Sequence, residues 1–273
     1  MRSSVEALAH LGLVLETPLF EAACGALGLV VGSFANVCIH RIPERRSVVS
    51  PPSRCPDCGE RVRAWDNIPV LSYAVLLGRC RSCGTRISPR YPAVEAANGL
   101  AYAALAAARG PGWPTLVSMG LVTALLILSL IDLDHQILPN VITRPGIAAG
   151  IAASFLPGSP LAPWASAAAA AGGYLILFAV AKGYLALRGR EGLGQGDWKM
   201  VAMLGAFLGW QKMLLAVFLA SVGGTVVGLA LIGFGGRDLQ HRLPLGTFLG
   251  AAGIFVVFEG DALLAWYRGL MEG

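Results

Sequence analysis

Charge is scarce in this chain. Asp, Glu, Lys and Arg supply 14% of its 273 residues, where soluble domains carry about 25%. That shortage excludes an ordinary soluble globule, and the mean hydropathy of +0.64 places the chain in a bilayer. A basic leader region is also missing. Only Arg2 precedes the first apolar run, which begins late and contains Glu21, so the run is predicted to be a permanent helix and not a cleavable signal peptide. No Gly-rich strand-to-helix fingerprint of a dinucleotide site occurs anywhere.

Long apolar runs are abundant. The clearest cover 19–39, 115–131, 165–181 and 213–234, each near the length that crosses about 30 Å of hydrocarbon. Shorter or more polar runs cover 92–108, 141–156, 197–211 and 243–258. The expected fold is therefore an all-α polytopic membrane protein of about eight transmembrane helices. With eight spans, loops 40–91, 132–140, 188–198 and 235–244 share one face. Cations in or beside them are the ten from Arg41 to Arg90, then Arg144, Lys182, Arg188, Arg190, Lys199, Arg237 and Arg242. The other face keeps only Arg2, Arg109, Lys212 and Arg268. The positive-inside rule puts the crowded face in the cytoplasm and both termini outside. The net charge of +5 is then a topology signal and a contact with anionic lipid, not a nucleic-acid footprint.

Three segments follow: 1–39 as the first transmembrane helix, 40–91 as a small cytoplasmic domain, and 92–273 as the remaining helices. The loop 40–91 is Arg-rich and holds four of the six cysteines, as Cys55-x-x-Cys58 and Cys80-x-x-Cys83. Two such knuckles suit four thiolates around one tetrahedral Zn²⁺, and a cytosolic setting disfavours disulfides. Gly59 and Gly84 follow each pair, where a tight knuckle favours a residue without Cβ. A closed Cys₄ site is structural, holding a loop too small to fold by its own core. Cys24 and Cys38 are read as packing residues, and His40 as an interfacial polar group.

Two carboxylates stand at span ends on the crowded face: Asp132 in "IDLDHQILPN" and Asp197 in "GQGDWKM". Like charges at close range cannot both ionise easily, so such a pair can share a proton and work as acid and base on a peptide bond. Gly194 and Gly196 would allow close approach to Asp197. The plainer alternative, weighed equally on spacing alone, makes both loop residues, with Asp197 capping a helix. Asp134 competes with Asp132 but points elsewhere if the helix continues. Lys199 would meet lipid phosphate or one of the carboxylates. Glu95 and Asn98 fall inside the second span, where an ionisable group implies a function or a partner.

Taken together, these stretches resemble the bacterial prepilin peptidases, the leader peptidases and N-methyltransferases of type IV pilus and type II secretion systems. The matching motifs run in order: "GSFANVCIHRIP" at 32–43, the two knuckles, "WDNIPVLSY" at 65–73, "GRCRSCGTRISPRYPAVE" at 78–95, "IDLDHQILPN" at 131–140 and "GQGDWKM" at 194–200. The resemblance implies that Asp132 and Asp197 are the catalytic aspartates, the latter in a G-x-G-D motif. It implies cleavage on the cytoplasmic side of the inner membrane, between a short basic leader and the apolar helix of a prepilin or pseudopilin. It further implies methylation of the new N-terminal residue from S-adenosylmethionine, and zinc in the cysteine loop. Many members have Leu-Pro-Asp where this chain has Leu-Pro-Asn140, and "LPLGTFLG" at 243–250 matches more loosely and receives no role. The loop is itself positive by ten to four, so charge does not explain binding of a cationic leader, and recognition falls to the pilin helix lying between spans.

An ion- or proton-coupled transporter using Asp132, Asp197 and Glu95 would instead want carboxylates near the bilayer midplane and an internal repeat. Neither is evident. A non-catalytic scaffold binding a partner through zinc knuckles leaves both aspartate motifs unexplained.

Overall fold

The structure, a computed structural model, describes residues 2–189, 194–235 and 244–272. Arg190, Arg237 and Arg242, three cations of the crowded face, lie outside the described residues. The helices are α1 (Arg2–Arg41), α2 (Leu71–Val75), α3 (Arg90–Arg109), α4 (Trp113–His135), α5 (Asn140–Ala153), α6 (Pro163–Arg188), α7 (Gln195–Gly235) and α8 (Leu245–Glu272). Among the described residues, β structure is confined to two isolated bridges, Arg54 with Arg61 and Arg79 with Arg86.

Among the described residues, five stretches are long and apolar enough to cross a bilayer: Thr17–Arg41, Trp113–His135, Pro163–Arg188, Gln195–Gly233 and Leu245–Glu272. The helix α5 has 14 residues, about 21 Å of rise, and falls short of the ~30 Å core. In α3 the apolar run is interrupted by Glu95 and Asn98. Apparent continuity in α7 conceals two helices that meet at Gly209, whose φ of 75° and ψ of 177° are not helical. A straight helix would hold residues 205 and 213 about 12 Å apart. Instead, a Cβ on Gly205 would lie 2.9 Å from the Met213 sulfur, so the chain folds back at Gly209. With α7 counted as two and the short α2 set aside, the expected eight helices are all present.

The chain forms two compact units, Met1–Thr123 and Ala124–Gly273. In the first, α1 packs on α3 at very close range. A Cβ on Gly28 would come within 2.8 Å of the Asn98 carbonyl, and one on Gly32 within 2.8 Å of the Glu95 Cα. Small residues permit this approach, which is how helices gain packing energy inside lipid. Asn98 is fully buried; its amide donates to the Gly28 carbonyl at 2.8 Å and its oxygen accepts from the Thr123 hydroxyl at 2.8 Å. Cys24 and Cys38 are buried in α1, as packing residues should be. His40 Nε2 lies 2.6 Å from the Tyr91 hydroxyl, with the two rings stacked.

In the second unit the interior is built from Leu125, Leu128, Ile131, Met200, Met203, Leu204, Met213 and Leu249. Ser166 of α6 donates from its hydroxyl to the Ala206 carbonyl of α7 at 2.6 Å. Outward-facing side chains such as Val226 and Leu229 are apolar and exposed, the reverse of a soluble surface.

Candidate active site and metal centre

Asp132 lies one turn before the end of α4 and is buried. Its support comes from the start of α8. The Thr247 N–H donates to Asp132 Oδ2 at 2.8 Å, and the Thr247 hydroxyl lies 3.4 Å from that oxygen while donating to the Ser129 carbonyl at 3.0 Å. Gly246 makes this contact possible, because a Cβ there would sit 2.9 Å from the Asp132 carboxyl carbon. Asp134, two residues on, is exposed. Helix phase alone separates the two aspartates, as expected.

Asp197 is buried in the first turn of α7. Its Oδ2 accepts the Gly194 N–H at 3.0 Å, and its own N–H donates to the Gly194 carbonyl at 3.1 Å. This is the reach-back half of a capping box, so Asp197 does satisfy a helix terminus, but with one oxygen only. The Gly246 N–H also points at the Asp132 carboxylate. The Asp132 carboxylate lies within electrostatic range of Asp197. Leu138 lies between the motifs: a Cβ on Gly196 would be 2.6 Å from the Leu138 Cβ, and one on Gly246 would be 2.9 Å from Leu138 Cδ1. The close approach at Gly196 is thus made by Leu138. Lys199 Nζ donates to Asn140 Oδ1 at 2.7 Å, clipping the start of α5 to α7. It meets neither aspartate.

Beside Asp197, Trp198 is buried edge-on against Tyr174 and Phe178 of α6, with ring centroids 6.0 and 5.1 Å away. These contacts pin the start of α7 to α6. Glu95 belongs to the first unit, where its Oε2 accepts the Val70 N–H at 2.8 Å. That amide is the partner the sequence could not name. Val70 has a φ of +60°, a strained value for a β-branched residue, and Glu95 holds it in place.

The four loop cysteines converge. The sulfurs of Cys55, Cys58, Cys80 and Cys83 all lie within 4.8 Å of one another, and Cys55 and Cys83 are 3.8 Å apart. That is too far for a disulfide but equals the edge of a tetrahedron with ~2.3 Å Zn–S bonds, about 3.8 Å. The residues therefore fit zinc. The knuckles repeat each other: the Gly59 N–H donates to the Cys55 carbonyl and the Gly84 N–H to the Cys80 carbonyl, both at 2.9 Å. Each glycine has a φ of +72°, as the knuckle geometry required. Thr85 of one knuckle hydrogen-bonds Asp57 of the other. The Cys80 thiol is drawn down to about 7 by the amides of Cys83 and Ser82. Cys83 goes the other way, up to about 12: the Thr85 amide pulls it down, but desolvation and the three neighbouring thiols outweigh that pull. Arg81 forks onto Asp66 at 2.6 to 3.0 Å and holds that carboxyl below its usual range.

Residues 26–109 match the bacterial peptidase A24 N-terminal domain and residues 119–229 match the type IV leader peptidase family. A "Prepilin leader peptidase/N-methyltransferase" of Burkholderia pseudomallei is 40% identical over 271 residues, covering 90% of this chain and 87% of the relative. The chain belongs to the type IV leader peptidase family. Proteins of the same name in Pseudomonas putida (38% identity, 93% and 95% coverage) and Pseudomonas aeruginosa (36%, 92% and 94%) are similar along nearly their whole length. No solved structure matches. As a family member with several apolar spans, the chain is a multi-pass bacterial membrane protein. None of these relatives lends support to an ion-coupled transporter.

Gly246 and Thr247, which hold Asp132, are contacts that the sequence did not reveal. The signal was present in "LPLGTFLG", a Gly-Thr pair opening an apolar run. Nothing local indicated which carboxylate it would meet.

Proposed function

We propose that the protein is an aspartic endopeptidase that removes the basic leader from type IV prepilins or type II secretion pseudopilins, and then N-methylates the new terminus. The observation that carries this reading is the pair of buried aspartates, delivered by separate helices into one electrostatic neighbourhood. Each is held in place by backbone N–H groups, Asp132 by Thr247 and Asp197 by Gly194. In such a dyad one carboxyl retains a proton and polarises the scissile carbonyl, while the other, as carboxylate, takes a proton from the attacking water. Burial strengthens both interactions by excluding bulk water. The names carried by the relatives support the substrate class and the methyl transfer, for which S-adenosylmethionine is the co-substrate.

Cys55, Cys58, Cys80 and Cys83 hold zinc in a structural role. The metal supplies four cross-links to a loop with almost no apolar core. The concentration of cations on one face supports a cytoplasmic active site in the inner membrane, with both termini in the periplasm.

The test is a cleavage assay in liposomes, on a peptide carrying a basic leader, a Gly-Phe junction and an apolar helix. Wild type should cleave it, and Asp132→Asn and Asp197→Asn should not. Cleavage surviving in either variant would reduce that aspartate to a structural role.

A further inference from the structure

Within the loop of ten cations, the stretch 64–78, "AWDNIPVLSYAVLLG", carries a single charged side chain, Asp66, and Arg81 forks onto it. Trp65, Ile68, Leu71 and Val75 in this stretch are 47 to 68% exposed. Exposed apolar surface of this kind marks contact with a protein or a membrane. We propose that residues 65–77 lie in the bilayer interface, with these four side chains against lipid. The inference goes beyond the peptidase reading and does not depend on it.

Depth is the first argument. The helices α1 and α3 run antiparallel: Glu95 packs on Gly32, and the Asn36 amide donates to the Tyr91 carbonyl at 3.0 Å. Gly32 lies about 13 Å along α1 from Arg41, where the apolar span ends. From that depth, Glu95 Oε2 accepts the Val70 N–H at 2.8 Å. A glutamate side chain and its hydrogen bond together reach about 8 Å at most. Val70 is therefore held at least ~5 Å inside the level of Arg41, and Leu71 and Ile68 beside it share that depth. The outer surface of α1 at this height is itself apolar, with Phe34 exposed. The hydrocarbon edge that covers Phe34 also covers Ile68 and Leu71.

Hydrogen bonding is the second argument. Backbone that meets lipid must satisfy its polar groups internally. Ser72 Oγ accepts the Ile68 N–H at 3.0 Å and donates to the Trp65 carbonyl at 2.8 Å. The amides of Ser72, Ala74 and Leu76 donate to the carbonyls of Ile68, Val70 and Ser72 at 2.9 to 3.0 Å. Ser72 is buried, and Tyr73 packs over Gly78 while its hydroxyl donates to the Ile87 carbonyl at 3.3 Å. Polar groups thus turn inward and aliphatic ones outward. Leu71 and Val75 share the outward face of α2. Exposed arginines, Arg63 and Arg79, flank the stretch, and the Arg63 guanidinium lies 5.8 Å from the Trp65 ring centroid. A tryptophan at headgroup level with a cation reaching towards phosphate is the usual chemistry of a membrane interface.

The experiment uses the full chain in liposomes of phosphatidylcholine and phosphatidylglycerol. Trp65 emission is read as the difference between wild type and Trp65→Phe, an aromatic exchange whose folding is checked by thermal melt. Lipids brominated near the headgroup end of the acyl chains should remove at least about half of that emission, as for a side chain sunk to the headgroup–acyl boundary. Aqueous iodide should remove little of it. A photoreactive benzophenone side chain placed at Val75 should cross-link to lipid. Quenching by iodide with no effect of the brominated lipids would overturn the placement. Adducts at Val75 confined to an added prepilin peptide or to a second copy of the chain would overturn it as well, and would make this face a protein-docking surface.

Discussion

At the residue scale, two aspartates with the same chemistry are held in different ways. Asp197 is anchored by its own helix terminus, through Gly194 three residues away, whereas Asp132 depends on a segment 115 residues distant. Asp132→Asn and Asp197→Asn should each lower the cleavage rate by at least about 10²-fold, the usual scale for losing an acid or base, with unchanged melting temperature. Gly246→Ala should cost about tenfold or more, because its methyl displaces the Asp132 carboxyl and small misplacements are costly. Thr247→Val should do less harm, since it keeps the backbone donor. Progress curves on the same peptide separate the two. Both aspartates were legible in the sequence because their motifs are local. Gly246 and Thr247 were not, because no local pattern encodes a contact over such a distance.

At the scale of elements, the knuckles were the most legible part of the chain. Spacing, glycines and convergence all follow from a few consecutive residues. Metal analysis should find one zinc per chain, and Cys55→Ser and Cys80→Ser should lose it along with folded protein. Unchanged zinc content would remove the metal assignment. The Asp66–Arg81 fork ties the 3-10 turn Ala64–Asn67 to the second knuckle. Because Arg81 depresses the Asp66 pKa, Asp66 stays ionised throughout neutral and mildly acid conditions. Its contribution is complete above the ordinary Asp value, near 4, and is lost only as pH falls through the lower folded value. Asp66→Asn should therefore raise proteolysis of the loop equally from pH 6 to pH 8. The sequence anticipated two helices where α7 runs, and the break between them is a single glycine. By contrast, the Lys199–Asn140 clip was not anticipated, because lipid phosphate and the two aspartates were the expected partners and only the approach of α5 to α7 brings Asn140 within reach.

At the scale of the whole molecule, composition determined the class and helix packing determined the site. Topology should follow the cations: cysteines introduced near residues 3 and 270 should react with an impermeant thiol reagent from the periplasmic side, and one near residue 45 should not. The Thr247–Asp132 bond has a further consequence, for the order in which the enzyme is made. Ribosomes deliver α4 first and α8 last, and 115 residues take roughly 6–23 s at ~5–20 residues per second. Throughout that interval Asp132 is already in the membrane without its backbone donor. The anchoring of Asp132 is therefore completed only when the final helix is in place.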